Sequence, residues 1–208
     1  MNILISAGPT LEPIDAVRFI SNRSSGKMGV ALAEAALKAD HKIVVVHGPL
    51  SVPVLKHGQW IAVERASEMM EALAKNMAWA DVLIMSAAVC DMRPVYSEQR
   101  KLDKSELQHL ALIPNPDIVG TLARSFPKVH IVAFSLENSL NPERPLQKMR
   151  SKNAHWVVYN QLESMGANSS TFGIMDREGL EILKPKALDK NLFAQLLIDT
   201  LSNKLTCS

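Results

Sequence analysis

At 208 residues, with 47% hydrophobic and 21% charged residues, the chain has the make-up of a folded globular domain and fits neither a disordered nor a membrane class. A formal net charge of +2, with lysines and arginines scattered among acids, provides no broad positive field and argues against a nucleic-acid binder. Cys90 and Cys207 lie far apart, no charged-then-apolar leader is present, and no apolar stretch nears the roughly 20 residues a bilayer requires. These features predict two free thiols in a cytoplasmic protein that is neither exported nor inserted in a membrane.

Taken in order, residues 2–6 (NILIS), 42–46 (KIVVV), 82–85 (VLIM), 130–134 (HIVAF) and 156–159 (WVVY) are short apolar runs rich in β-branched residues, the pattern of strands buried on both faces. Helical patterns lie between or beside them at 26–38, 67–77, 117–124 and 146–152. Alternation of this kind predicts an α/β fold with a doubly wound, mostly parallel, Rossmann-like sheet carrying helices on both faces. Residues 164–183 break the alternation, and the turn-forming stretch 176–179 predicts a late β-hairpin that extends the sheet or reaches a partner. Residues 187–204, with Leu188, Leu192, Leu196, Ile198 and Leu201, predict a closing amphipathic helix packed on the sheet. The proline-rich piece 48–58 reads as a loop rather than a linker, so the chain is expected to form a single domain over 1–208.

In an open parallel sheet, ligands bind outside the carboxyl ends of the strands, so the segments that follow strands carry the functional reading. Residues 7–29 (AGPTLEPIDAVRFISNRSSGKMG) make a connection far longer than the usual 2 to 6 residues, which hints at function. Ser24, Ser25, Gly26 and Gly29 fall at a helix start, where unpaired N–H groups and the positive dipole end suit an anion. The same residues also read as an Asn/Ser helix cap with glycines for close packing. Neither a GxGxxG fingerprint nor a Walker A pattern occurs.

The 7–29 string, followed in order by 86–94 (SAAVCDMRP), 115–119 (NPDIV), 132–137 (VAFSLE) and the segment 148–160, closely resembles bacterial phosphopantothenate–cysteine ligases over nearly the whole chain. That part is often fused behind a phosphopantothenoylcysteine decarboxylase; here the resemblance implies a stand-alone ligase of coenzyme A synthesis, with the decarboxylase as an associated partner. It further implies that 4′-phosphopantothenate and L-cysteine are joined through an acyl-nucleotide, with CTP (or ATP) as co-substrate, Mg²⁺ as the accompanying ion and a homodimer as the working form.

By the same resemblance, Arg18 and Asn22 hold phosphopantothenate, Arg18 reaching the neighbouring subunit's site and Asn22 handling the activated carboxylate. Ala87, Ala88 and Asp91 match the substrate-contacting loop, while Gly8, Ser24, Gly26, Gly29, Phe134 and Asn160 match nucleotide contacts. Lys101 matches the leading residue of a Lys-x-Lys-Lys loop used when cysteine attacks, and Lys148 and Lys152, four apart on one helix face, match lysines near the triphosphate. This chain departs by reading Lys101-Leu102-Asp103-Lys104, with Asp103 in the third position. Without the family, Arg18 reads as a surface ion-pair residue, Asn22 as a cap, Phe134 as core and the lysines as a solvated face. No His/Cys set has zinc spacing, so Mg²⁺ is expected to ride on the phosphates, and Cys90 reads as a small loop residue.

Two rival readings follow from the same residues. A non-catalytic relative that binds nucleotide or phosphopantothenate is motivated by Asp103. An NAD(P)-binding oxidoreductase shares the sheet but normally carries a glycine-rich first turn and an acidic residue ending the second strand, which residues 7–10 and 46–47 do not supply.

Overall fold

The computed structural model describes residues 1–161 and 168–206. Cys207 and the 164–167 portion of the pattern-breaking segment lie outside the described residues. In chain order the described elements begin with β1 (Asn2–Ala7), β2 (Leu11–Pro13), β3 (Phe19–Ser21), α1 (Lys27–Lys38), β4 (Lys42–His47), β5 (Gln59–Ala62) and α2 (Ala66–Met77). They continue with β6 (Val82–Met85), β7 (Met92–Pro94), β8 (Leu112–Pro114), α3 (Ile118–Ser125), β9 (His130–Glu137) and α4 (Glu143–Ser151). The chain then forms β10 (Trp156–Gln161), β11 (Ser169–Asp176), β12 (Glu181–Asp189) and α5 (Lys190–Thr206).

Eight strands make one sheet in the order β12-β11-β10-β9-β6-β1-β4-β5. Every pairing from β5 to β10 is parallel, and β11 and β12 are added antiparallel. The expected α/β fold with a late hairpin is therefore present. Side chains alternate across each strand, and the two cores follow that period. Ile3, Ile5, Ile43 and Val45 pack under α1 and α5, whereas Leu4, Val44, Val46 and Leu83 pack under α2, α3 and α4. Ile3, Leu4 and Ile5 are fully buried, and each contributes about 1.5–3 kcal/mol by leaving water. A one-residue slip of β1 would exchange its two faces between differently shaped cores, so the register is strongly specified.

The hairpin turns at Asp176, whose Oδ1 accepts from Leu180 N at 2.8 Å, with Gly179 at φ 95°. Arg150, at the end of α4, donates to the carbonyls of Arg177 and Glu178 and holds that turn against the sheet end. The loop over 48–58 is as expected, but its continuation is the edge strand β5, which the sequence reading passed over because Gln59–Ala62 is half-exposed and brief. Two further small ladders escaped it: β2 with β3, and β7 with β8, each only three residues long. The closing helix starts at Lys190 and not at Ala187, because Ala187, Leu188 and Asp189 belong to β12. Its buried stripe is Phe193, Ala194, Leu197, Ile198 and Leu201, while Leu192, assigned to the inner face from the sequence, is 57% exposed.

At the opposite end of the sheet from the strand carboxyl termini, His130 stacks on His155 with ring centroids 4.5 Å apart, and its edge meets Trp156 at 5.2 Å. Its Nε2 is buried without a hydrogen-bond partner among the described residues. Burial, then the neighbouring His155 and Lys204, push the His130 pKa down from 6.5 to about 4. The unfolded chain therefore takes up a proton near pH 6.5 that the folded chain refuses until about pH 4. Stability is full above that window and falls as pH drops through it. Discounted for the part of the ring that still meets water, the loss is on the order of 2 kcal/mol. Urea midpoints compared between pH 7 and pH 5 are expected to fall more steeply for the wild type than for His130→Gln; equal slopes would contradict this origin.

Candidate functional site

The chain lays β4 and β5 on one side of β1, then crosses to place β6 and β9 on the other. Helices leave the ends of β1 and β6 on opposite faces of the sheet, and a crevice opens between them. A cavity of about 720 Å³ occupies this position. Its walls are the start of α1, the segment after β6, the start of α3, the ends of β9 and β10, and one face of α4.

Local sequence explains how α1 presents its first turn. Gly26 takes φ 76°, a conformation open to glycine, and α1 begins with no side-chain cap and no acidic residue in its first turn. Ser24 and Ser25 therefore do not cap the helix; their hydroxyls lie 3.4 and 3.5 Å from Gly26 N and Lys27 N, at the limit of hydrogen bonding. The positive end of the helix is left toward the cavity. Gly29 lets α1 lie directly on β1, since a Cβ there would run into the Cβ of Ala7 and come 3.0 Å from its Cα. Gly29→Ala is expected to cost about 2–3 kcal/mol, read as a melting temperature lowered by about 5–10 °C. An unchanged melting temperature would show that the helix can shift away freely.

The segment after β6 is sewn to the long 7–22 connection. Ser86 Oγ donates to Ser6 O at 2.6 Å, Ala87 N to Ser6 Oγ at 3.1 Å, and Ala88 N to Gly8 O at 2.9 Å. The backbone donors of Ala87 and Ala88 are thus committed internally, and what these residues offer a ligand is a low profile. Asn22 spends its amide on the same seam, donating to the carbonyls of Ala88 and Val89, both at 3.1 Å. It acts as a brace for this loop and not as a helix cap. Asp91 lies on the cavity wall, and its carbonyl accepts from Asn115 N at 2.8 Å, tying in the start of α3. Cys90 is buried, its thiol donating to Thr10 O at 3.4 Å; burial pushes its pKa up, which suits the loop residue expected from the sequence.

On the far wall Phe134 is half-buried, set edge-on to Phe193 at 6.5 Å, and still lines the cavity with Asn160. Lys148 and Lys152 both lie on the wall, but only Lys148 is on α4; Lys152, read from the spacing as its neighbour on one helix face, is the residue that caps the end of that helix. Each meets a carboxylate: Lys148 Nζ is 3.0 Å from Glu137 Oε1, and Lys152 Nζ is 3.1 Å from Asp117 Oδ1. Glu137 is 5% exposed; burial works to raise its pKa, but the Ser135 hydroxyl at 2.6 Å and Lys148 outweigh it and hold the carboxyl below its ordinary value. Arg144 approaches the same carboxylate at 3.7 Å. These partners were missed in sequence. The available signal was Ser135 and Glu137 two apart on a strand end, hence on one face. Lys27 and Lys190 also line the cavity and were passed over; burial, then the charge of Lys27, lowers the pKa of Lys190.

The cavity wall thus gathers Asn22, Ser24, Gly26 and Gly29 with Ala87, Ala88 and Asp91, and across from them Phe134, Lys148, Lys152 and Asn160. Gly8, Arg18 and Lys101 are not on it. Gly8, at φ 72°, turns the chain behind the start of α1, where a Cβ would come within 3.0 Å of Pro49 O. Arg18 and Lys101 lie together elsewhere, Arg18 Nη2 donating to the carbonyl of Leu102 at 2.7 Å.

Comparison with known proteins gives this geometry its relatives. The chain is 37% identical over 175 residues to the coenzyme A biosynthesis bifunctional protein CoaBC of Vibrio vulnificus (strain YJ016), covering 81% of this chain and 44% of that protein. It is 33% identical over 208 residues to the protein of the same description from Escherichia coli (strain K12), covering 96% of this chain and 51% of the relative. The chain spans about half the length of the curated relatives it matches. Among solved structures, the C-terminal domain of coenzyme A biosynthesis bifunctional protein CoaBC superposes with a TM-score of 0.85 at 32% identity, covering 100% of this chain and 96% of that one. Residues 1–205 match the family described as the DNA/pantothenate metabolism flavoprotein C-terminal domain, and the chain belongs to that family.

Proposed function

We propose that this chain is a phosphopantothenate–cysteine ligase, a single catalytic domain that joins 4′-phosphopantothenate to L-cysteine in coenzyme A synthesis. The observation that carries the reading is one cavity at the crossover of the sheet, bounded on one side by Asn22, Ala87, Ala88 and Asp91 and on the other by Phe134, Lys148, Lys152 and Asn160. Its volume, about 720 Å³, is in the range of small-molecule sites and offers room for two reactants side by side. Full-length likeness to the CoaBC C-terminal domain supports it.

In this reading the pantothenate carboxylate attacks the α-phosphorus of CTP, with ATP as the alternative nucleotide, and pyrophosphate leaves. The amine of cysteine then displaces the nucleotide monophosphate. Two anions must be brought together in the first step, so orientation and positive charge are what the protein supplies. Phe134 offers a face for the base, Asn22 braces the loop beneath the pantothenate end, and the start of α1 with Lys148 and Lys152 offsets phosphate charge. The pairing with Glu137 and Asp117 holds those lysines in place before ligand arrives. Among the described residues no three His, Cys, Asp or Glu side chains converge as a metal cage. Mg²⁺ fits as a passenger on the phosphates, which needs only one or two carboxylates such as Asp91 and Asp117 on the wall, and would supply charge neutralisation there.

The working form in this reading is a homodimer in which Arg18 serves the neighbouring subunit. Val17, Phe19 and Tyr96 are 60%, 54% and 81% exposed, the aromatic-plus-arginine composition typical of an interface core. A phosphopantothenoylcysteine decarboxylase is the expected partner, and the buried free thiol of Cys90 suits a reducing cytosol. No described helix is long and apolar enough to cross a membrane.

Incubation with phosphopantothenate, cysteine and CTP, with ATP and NAD in parallel, tests the whole reading. Amide product with equimolar pyrophosphate and CMP is the expected result. Pyrophosphate without amide would favour a relative impaired after activation, and neither product with either nucleotide would overturn the assignment.

A further inference from the structure

The two charged residues that the cavity wall does not include are joined to each other, and a carboxylate makes the joint. Asp15 has no exposed side-chain surface. Its Oδ1 accepts from Val17 N and Arg18 N, both at 2.8 Å, and its Oδ2 accepts from Leu102 N at 3.1 Å and meets Arg18 Nη2 at 2.9 Å. The same Nη2 donates to Leu102 O, so carboxylate, guanidinium and the backbone of one residue close a ring. A second seam runs beside it, from Glu98 N to Ile14 O at 3.1 Å. Beyond Leu102 the loop closes on itself, Glu106 taking Arg100 through both guanidinium nitrogens and Asp103 N at 2.8 Å. Lys101 therefore sits between two pinned neighbours, one of which is held only through Asp15 and Arg18. Burial alone would raise the pKa of Asp15, but the three backbone donors and Arg18 outweigh it and hold the carboxyl below its ordinary value.

We propose that Asp15 is a positioning residue that makes Arg18 and Lys101 a single cationic unit, setting where the Lys101 ammonium is delivered during amide formation. This rests on the ligase reading above. A carboxylate buried to accept four donors is costly to desolvate, and its bonds are spent on two segments far apart in sequence. An ordinary turn at 14–18 would need only the two local N–H groups. The contacts to Leu102 and to the guanidinium tip are what reach across to the lysine loop.

The test is a double-mutant cycle with Asp15→Asn and Lys101→Gln, read as the separate rates of pyrophosphate release and amide formation, with hydrogen exchange of the 100–106 segment measured on the same proteins. Asp15→Asn is expected to slow amide formation at least 10-fold while pyrophosphate release changes less than about 3-fold, and to speed exchange at Leu102 at least 10-fold. In the Lys101→Gln background the same substitution should cost less than about 2-fold in amide formation, because the group it positions is gone. A cost as large there as in the wild type, or wild-type amide formation by Asp15→Asn, would overturn the proposal. Should the wild type form no amide at all, the ligase reading falls, and unchanged exchange at Leu102 then overturns the coupling independently.

Discussion

Replacing Lys101 with glutamine is expected to lower amide formation by about 10²–10³-fold while pyrophosphate release stays within about 10-fold of wild type, so that the acyl-nucleotide accumulates. In the proposed second step the amine of cysteine attacks the mixed anhydride, negative charge collects on the departing nucleotide monophosphate, and a mobile ammonium would meet it. In the proposed reaction, activation would draw on a different set of charges, at the start of α1 and on Lys148 and Lys152. Lys101 is exposed and off the wall of its own cavity, so its loss removes no packing and should leave stability within about 0.5 kcal/mol. Quench-flow separation of the two half-reactions measures this directly, and wild-type amide formation by the variant would remove Lys101 from the mechanism.

Asn22→Asp is the second large effect. The wild-type amide donates two N–H groups to the carbonyls of Ala88 and Val89. A carboxylate in its place has nothing to donate and sets one oxygen where a single nitrogen met two carbonyl oxygens, beside two anionic reactants. The loop under the pantothenate end must shift, and use of the acyl-nucleotide is expected to fall about 10²-fold, with Asn22→Ala falling less because it adds no charge. An Asp variant more active than the Ala variant would overturn the argument from the added charge.

How much of this could be read from the chain depends on length scale. β1, β4 and β6 were legible because they are apolar on both faces, and their bounds differ from the reading by at most a residue. The small ladders of β2 with β3 and β7 with β8 were not, since three residues hold no period and these are held by a seam to a distant segment. Helix α5 was found but misphased: Leu188 was counted into the helix although β12 runs through Asp189, and that set the stripe one position off Phe193 and Leu197. In the site, Asn22 and the small residues after β6 were reached through family resemblance. The carboxylates at Asp117 and Glu137 were not singled out: the Ser135 and Glu137 spacing marks a shared strand face, but the lysine that completes each ion pair lies in a separate segment and is not marked locally.

Helix α5 lies against α1, and together they cover one whole face of the sheet. During synthesis the segment of the first helix, whose inner side includes Ala31, Ala33, Ala35 and Ala36, leaves the ribosome well before α5. That side cannot close until residues 193–201 emerge, and at roughly 5–20 residues per second the wait is many seconds. The nascent chain therefore carries a sticky, unfinished flank while the residues between the two helices are made, and disruption of α5 should show first as aggregation, well before it alters the cavity at the crossover.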